Sequence, residues 1–195
     1  MPLQTSIANL PAHRHLTITT SLCAFVLYAI LNMLVAAAAS PGTISVASTA
    51  FHQGAVLPAR YTGDGENVSP PLYWSKPPIG TKTIALTCED PDAPAGTWWH
   101  WMLYNVSPKT QAIGEGVPKA ATMIGGVKQG LNDFNRVGYD GPAPPPGYSH
   151  RYQFKVMALD TVLNLPPSCT KDAFRNATRG HVLAEGATSA LYWRK

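Results

Sequence analysis

The stretch CEDPDAPAGTWWHW, from Cys88 to Trp101, crowds two carboxylates, Asp90 and Asp92, one imidazole, His100, and three tryptophans into a short segment. A second stretch, GYDGPAPPPGYSHRYQF, carries His150 two residues before Tyr152. Residues two apart in a strand share a face, so His150 and Tyr152 point one way and Arg151 the other. Two imidazoles, a phenol and nearby loop amides make a small site rich in donors, suited to an anion and above all to phosphate. Gly141 and Gly147 permit close backbone approach or positive φ, and the prolines between them give a wall with little entropy to lose on binding.

Two other chemistries use the same residues. A hydrolase needs a nucleophile held by a base. The chain has no G-x-S-x-G, and Ser149 faces away from its neighbour His150 if both lie in a strand. Asp90, Asp92, His100 and His150 are also ligand types for zinc or manganese, but no i, i+4 histidine pair and no C-x-x-C clusters them. Asp92 reads more simply as a turn former. His52 and His181 stand outside both stretches and read as packed, hydrogen-bonded histidines.

The elements that position these groups read as mainly β. TKTIALTCED (81–90) is a buried strand that stops at Pro91, and WWHWMLYNV (98–106) is a nearly continuous apolar strand. If these two strands are neighbours, Asp90 and His100 meet at one end of the sheet. Alternation sets Trp99 and Trp101 on one face and His100 with Trp98 on the other. RYQFKVMALD (151–160) alternates as a third strand, and TISVASTAF (43–51) as a weaker one. Residues 57–75 and 107–130 are dense in turn residues. Helical signals come only late: Thr170 is placed to cap KDAFRNATRG, HVLAEG reads as continuing helically, and SALYWR as a short closing strand. Strands joined by long irregular loops suit two antiparallel sheets packed together, with one or two short helices near the C-terminus.

Composition agrees. The 16 glycines and 18 prolines are about a sixth of 195 residues, which argues against a helix bundle. The net charge of +4 is scattered, without the basic stripe that nucleic-acid binding needs.

Residues 1–39 hold a single charged side chain, Arg14, and an apolar run from Cys23 to Ala39 that ends in alanines. This reads as a signal peptide cleaved near Ser40. The rival reading is an uncleaved anchor, for which the run is at the lower length limit. Either way residues 40–195 form one domain outside the cytoplasm, periplasmic or extracellular, and meet a membrane only through an uncleaved segment. Cys88 and Cys169 remain in that domain, and export leaves open either a bridge or two buried thiols.

DPDAPAGTWWHW, GYDGPAPPPGYSHRYQFKVMALD and GHVLAEG resemble the phosphatidylethanolamine-binding protein family, specifically its bacterial Raf kinase inhibitor-like branch. The likeness runs from about residue 42 to the C-terminus. It implies a β-rich fold with two antiparallel sheets and a small anion pocket near the surface. It also implies binding of phosphorylated head groups and modulation of a kinase or protease partner, rather than catalysis, with no cofactor. By position its pocket residues fall on Asp90, Pro94, His100, Gly141, His150 and Tyr152. Two departures stand out: Ala143 replaces a cysteine common in bacterial members, and only Tyr192 loosely matches the aromatic residue that a C-terminal helix supplies in animal members. A carboxylate beside phosphate needs a reason. Asp90 orients His100 or His150, or it holds the DPDAP turn through loop amides, or it carries a proton.

Overall fold

The computed structural model describes residues 40–195; the signal-peptide reading of residues 1–39 lies outside them. Among the described residues, nine strands form two sheets. The larger sheet has the order β1-β9-β8-β4-β5-β7, built from β1 (Gly42–Thr43), β4 (Thr83–Asp90), β5 (Trp98–Val106), β7 (Lys128–Gln129), β8 (His150–Leu159) and β9 (Val182–Tyr192). The smaller has the order β2-β3-β6, from β2 (Val46–Ala47), β3 (Leu72–Trp74) and β6 (Ala112–Ile113). All pairs are antiparallel except β1 with β9. The expected strand over 43–51 is thus two short pieces, one in each sheet.

Alternation along the central strands gives each face its own core. Ile84, Leu86 and Cys88 of β4 and Phe154, Val156 and Ala158 of β8 point inward, against Leu72 and Trp74 of the smaller sheet. Ala85 of β4 and Met157 and Leu159 of β8 point outward, beneath the α-helix α1 (Lys171–Thr178). Thr170 caps α1, its hydroxyl accepting from the Ala173 amide at 3.3 Å, a contact worth about 1 kcal/mol. Phe174 of α1 is buried edge-on against Trp99, with ring centroids 5.9 Å apart. Cys88 lies in the inner core and Cys169 in the outer one, so the sheet separates two free, buried thiols and the bridge alternative falls.

Two expectations are corrected. HVLAEG is not helical: Val182–Tyr192 is one long strand, paired with β8 from Leu159↔Val182 to His150↔Tyr192. Ala, Leu and Glu favour helix locally, but ladder pairing against a fully formed strand outweighs tenths of a kcal/mol per residue. Gly186 marks the crossing, because a Cβ there would collide with the Ile44 carbonyl between β1 and β2. The second correction is the alternation of β5. Cys88 pairs with Trp101 and Glu89 with Trp99, so the strand bulges at His100. Trp101 enters the inner core while Trp99 enters the outer one. The two tryptophans therefore do not share a face, and His100 and Trp101 lie side by side on the inner side.

Candidate functional site

At the end of the larger sheet where β4 finishes and β5 and β8 begin, a cavity of about 310 Å³ opens to solvent. Its floor is Asp90, His100, His150 and Tyr152, and its walls are largely apolar. The β4–β5 hairpin puts Asp90 opposite Trp98, and β8 adds His150 and Tyr152 beside them. The Tyr152 ring stands between the two imidazoles, 5.2 Å from His100 edge-on and 6.4 Å from His150 in a stack.

Each imidazole is aimed by a bond on its far side. His150 Nδ1 lies 2.7 Å from Asp90 Oδ2, and both side chains are buried. The other oxygen of Asp90 accepts from the Asp92 amide at 2.9 Å. Asp90 thus orients His150 and also holds the turn. Asp92 in turn accepts the Arg151 amide at 2.9 Å, which stitches the turn to the start of β8. His100 Nδ1 lies 2.6 Å from the Asp140 carbonyl. A carbonyl only accepts, so Nδ1 carries the proton and Nε2 of the neutral ring bears a lone pair. Burial lowers the His100 pKa; the Asp140 carbonyl and the charge of Asp90 pull the other way without cancelling it. Burial, reinforced by Asp90, pushes the Tyr152 hydroxyl well above its ordinary pKa, so it stays a neutral donor.

The remaining expected residues fall around this floor. Pro94 lines the cavity from the β4–β5 connection, while Ala143 lines it from the proline-rich segment. Gly141 does not line it. It lies behind the wall, where a Cβ would come within 2.7 Å of Thr62 Cα; its amide donates to Asn67 Oδ1 at 2.6 Å. Tyr192 also stays outside, its hydroxyl donating to Asp64 at 2.8 Å. Ser149 is exposed beside buried His150. His52 and His181 are exposed, not packed, because each sits in a turn outside the sheets; His181 pairs with Asp160 at 2.7 Å. Among the described residues, no three His, Cys, Asp or Glu side chains converge as metal ligands.

Three contributors were not read from the sequence. Phe134 lines the cavity, its ring centroid 5.4 Å from both Trp98 and His100. It is held there because Asp133 pairs with Trp99 through both backbone and side chain. Asp140 is a buried carboxylate that receives Asn67, Lys119, Asn132 and Arg136 at 2.8 to 3.1 Å. Burial alone would raise its pKa; the amides of Asn132 and Asn67 and the Lys119 ammonium outweigh that and lower it. Arg194 holds the proline wall from outside, donating to the carbonyls of Ala143 and Pro144 at 3.3 and 3.4 Å. Asp140 sits inside a motif already singled out, whereas nothing local marks Phe134 or Arg194.

Comparison with known proteins agrees with this architecture. The family model described as phosphatidylethanolamine-binding protein matches residues 47–193. A UPF0098 protein of Methanothermobacter thermautotrophicus is 47% identical over 145 residues, covering 74% of this chain and 95% of that protein. Among solved structures, a homolog from Chlamydia trachomatis described as a putative phosphatidylethanolamine-binding protein is 34% identical. Its TM-score is 0.71, with 79% of this chain and 99% of that one covered. Escherichia coli YbcL, described as a new member of the mammalian PEBP family, is 32% identical with a TM-score of 0.74, covering 79% of this chain and 100% of that one. These relatives are archaeal and bacterial, consistent with the bacterial branch that the motifs resemble. Sequence, sheet order and neighbours converge: the chain belongs to the phosphatidylethanolamine-binding protein family.

Proposed function

We propose that this protein is an exported, non-catalytic binding protein whose pocket takes a small anionic group, phosphate or a phosphorylated head group. The observation that carries the reading is the convergence of His100, His150 and Tyr152 on the floor of one open cavity, each imidazole aimed by a partner behind it. Apolar walls exclude competing water and strengthen the few polar contacts inside. Export rests on the character of residues 1–39, and a kinase or protease partner is the regulatory outlet that family likeness suggests. Hydrolysis finds less support. Asp90 and His150 make a carboxylate–imidazole pair, yet no Ser, Thr or Cys lines the cavity with them among the described residues.

Isothermal titration with phosphate and O-phosphoethanolamine tests the reading. The wild type takes up both, and His100→Ala and His150→Ala each lose at least about tenfold in affinity while keeping a cooperative unfolding transition. Absence of uptake by a folded wild type would end it.

A further inference from the structure

The polar floor of the cavity lacks the group that usually binds phosphate. None of the described lining residues is Lys or Arg. Lys119 and Arg136 are turned to the Asp140 carboxylate, and the Arg194 guanidinium is paired with Asp64. What faces a ligand is instead two imidazoles, a phenol and a carboxylate.

The hydrogen-bond directions of those groups are set from behind. His100 gives its Nδ1 proton to the Asp140 carbonyl at 2.6 Å, so Nε2 of the neutral ring can only accept. His150 Nδ1 faces Asp90 Oδ2 at 2.7 Å, and an ionised carboxylate also only accepts. Its Nε2 gains an N–H solely when the ring takes a second proton. Both rings line the cavity, and because each Nδ1 is engaged by a group behind the ring, Nε2 is the ring nitrogen left for a ligand. A ligand oxygen without a proton would set a lone pair against the lone pair of His100, near the negative charge of Asp90. A ligand carrying P–OH donates to Nε2 and meets no such clash.

We infer that the pocket selects phosphate monoesters, which can bring an acidic proton, over phosphodiesters and sulfate, which cannot. This deepens the reading proposed above and rests on it. A monoester has its second pKa near ~6, so a protonated fraction persists at neutral pH. A diester is a monoanion without P–OH, and sulfate is fully deprotonated. Either would need His100 to become imidazolium, which its burial among Phe134 and Tyr152 disfavours. The groups bearing on His100 are Asp90 from β4, Asp133 and Asp140 from the segment leading to the proline wall, and Tyr152 from β8 with His150 beyond it. Lys119 and Arg136 offset Asp140. The charges nearest His100 are thus carboxylates, and the proton in the complex sits between His100 Nε2 and the phosphoryl oxygen.

Two measurements on the full chain test this. Isothermal titration compares O-phosphoethanolamine, a monoester, with glycerophosphoethanolamine, a diester bearing the same amine, and inorganic phosphate with sulfate. At pH 6 the proton-bearing member of each pair binds at least about tenfold tighter, since its rival leaves a buried acceptor unpaired. Monoester affinity falls about tenfold per pH unit above the ligand pKa of ~6, because binding takes up a proton. Glycerol 3-phosphate in solution and phosphatidic acid in vesicles tell a soluble source from a lipid one, and binding of either supports the monoester reading. Diester or sulfate binding within threefold of the partner, or monoester affinity flat from pH 6 to 8, overturns the selectivity while leaving the binding function intact. Failure of all ligands at every pH overturns both. Nitrogen-15 spectra of the free protein at pH 7 add an independent check: His100 Nε2 is unprotonated, and a protonated Nε2 sinks the proposal.

Discussion

Asp140 fixes His100 without touching the cavity itself. Its carbonyl takes the Nδ1 proton, and its carboxylate, gripped by two amides and two cations, keeps that carbonyl in place. Asn67 contributes twice, donating to Asp140 and accepting from the Gly141 amide, and it does so from a left-handed backbone conformation at φ 56°. Asparagine tolerates that conformation better than most residues. Replacing Asp140 with Ala would leave buried donors from Asn67 and Asn132 unanswered. Asp140→Ala is therefore expected to cost about 3 kcal/mol in urea unfolding and to weaken phosphate binding by at least about tenfold. Asp140→Asn, which keeps the shape and one acceptor, should recover part of both. A fully stable Asp140→Ala protein with unchanged affinity would remove this residue from the site.

At the scale of elements, the bulge in β5 does the positioning. Regular alternation would have given His100 the face opposite Trp101; one extra residue places both on the inner side, with Trp101 packed in the core and His100 at the cavity floor. Gly186 in β9 has a comparable role, letting the chain between β1 and β2 cross close above the strand. Gly186→Ala forces the Ile44 carbonyl to move and is expected to destabilise the fold by roughly 1–3 kcal/mol, read from thermal or urea unfolding. A neutral substitution would show that the crossing is slack. These two places also mark how far the sequence could be read. β4 and β5 were legible because nearly continuous apolar runs leave few alternatives, β8 because its residues alternate, and α1 because Thr170 announces its start. The floor residues were legible because two specific motifs carry them. The bulge was not, since one inserted residue has no signature in an apolar run. β9 was misread because its pairing partner, β8, lies well before it in the chain and local Ala, Leu and Glu speak for helix. Phe134 reaches the cavity only through the Asp133–Trp99 pairing, a tertiary fact.

Across the whole molecule, the last residues of the chain close the site. After β9, the Arg194 carbonyl accepts the Gly147 amide at 3.3 Å while its guanidinium reaches the carbonyls of Ala143 and Pro144. The same guanidinium pairs with Asp64, in the loop that also bonds Pro142 through the Gly63 amide at 2.7 Å. The proline wall is thus strapped by the C-terminus on one side and by residues 63–64 on the other. Hydrogen bonds from Arg194 and Tyr192 lower the Asp64 carboxyl from 3.8 to about 2. A depressed carboxyl contributes its interaction fully above the ordinary value and loses it as pH falls through the folded one. The strap should therefore hold at neutral pH and release between 3.8 and about 2. Because the pair is exposed, its loss should scarcely move the unfolding midpoint near neutral pH. Arg194→Ala is expected to act on the wall instead: the Gly147 amide exchanges faster, ligand affinity falls several-fold, and Asp64 titrates closer to its ordinary value when followed by carboxyl carbon-13 shifts. An Asp64 that already titrates near 3.8 in the wild type, or a Gly147 amide indifferent to Arg194, would mean that the prolines hold the wall by their own stiffness.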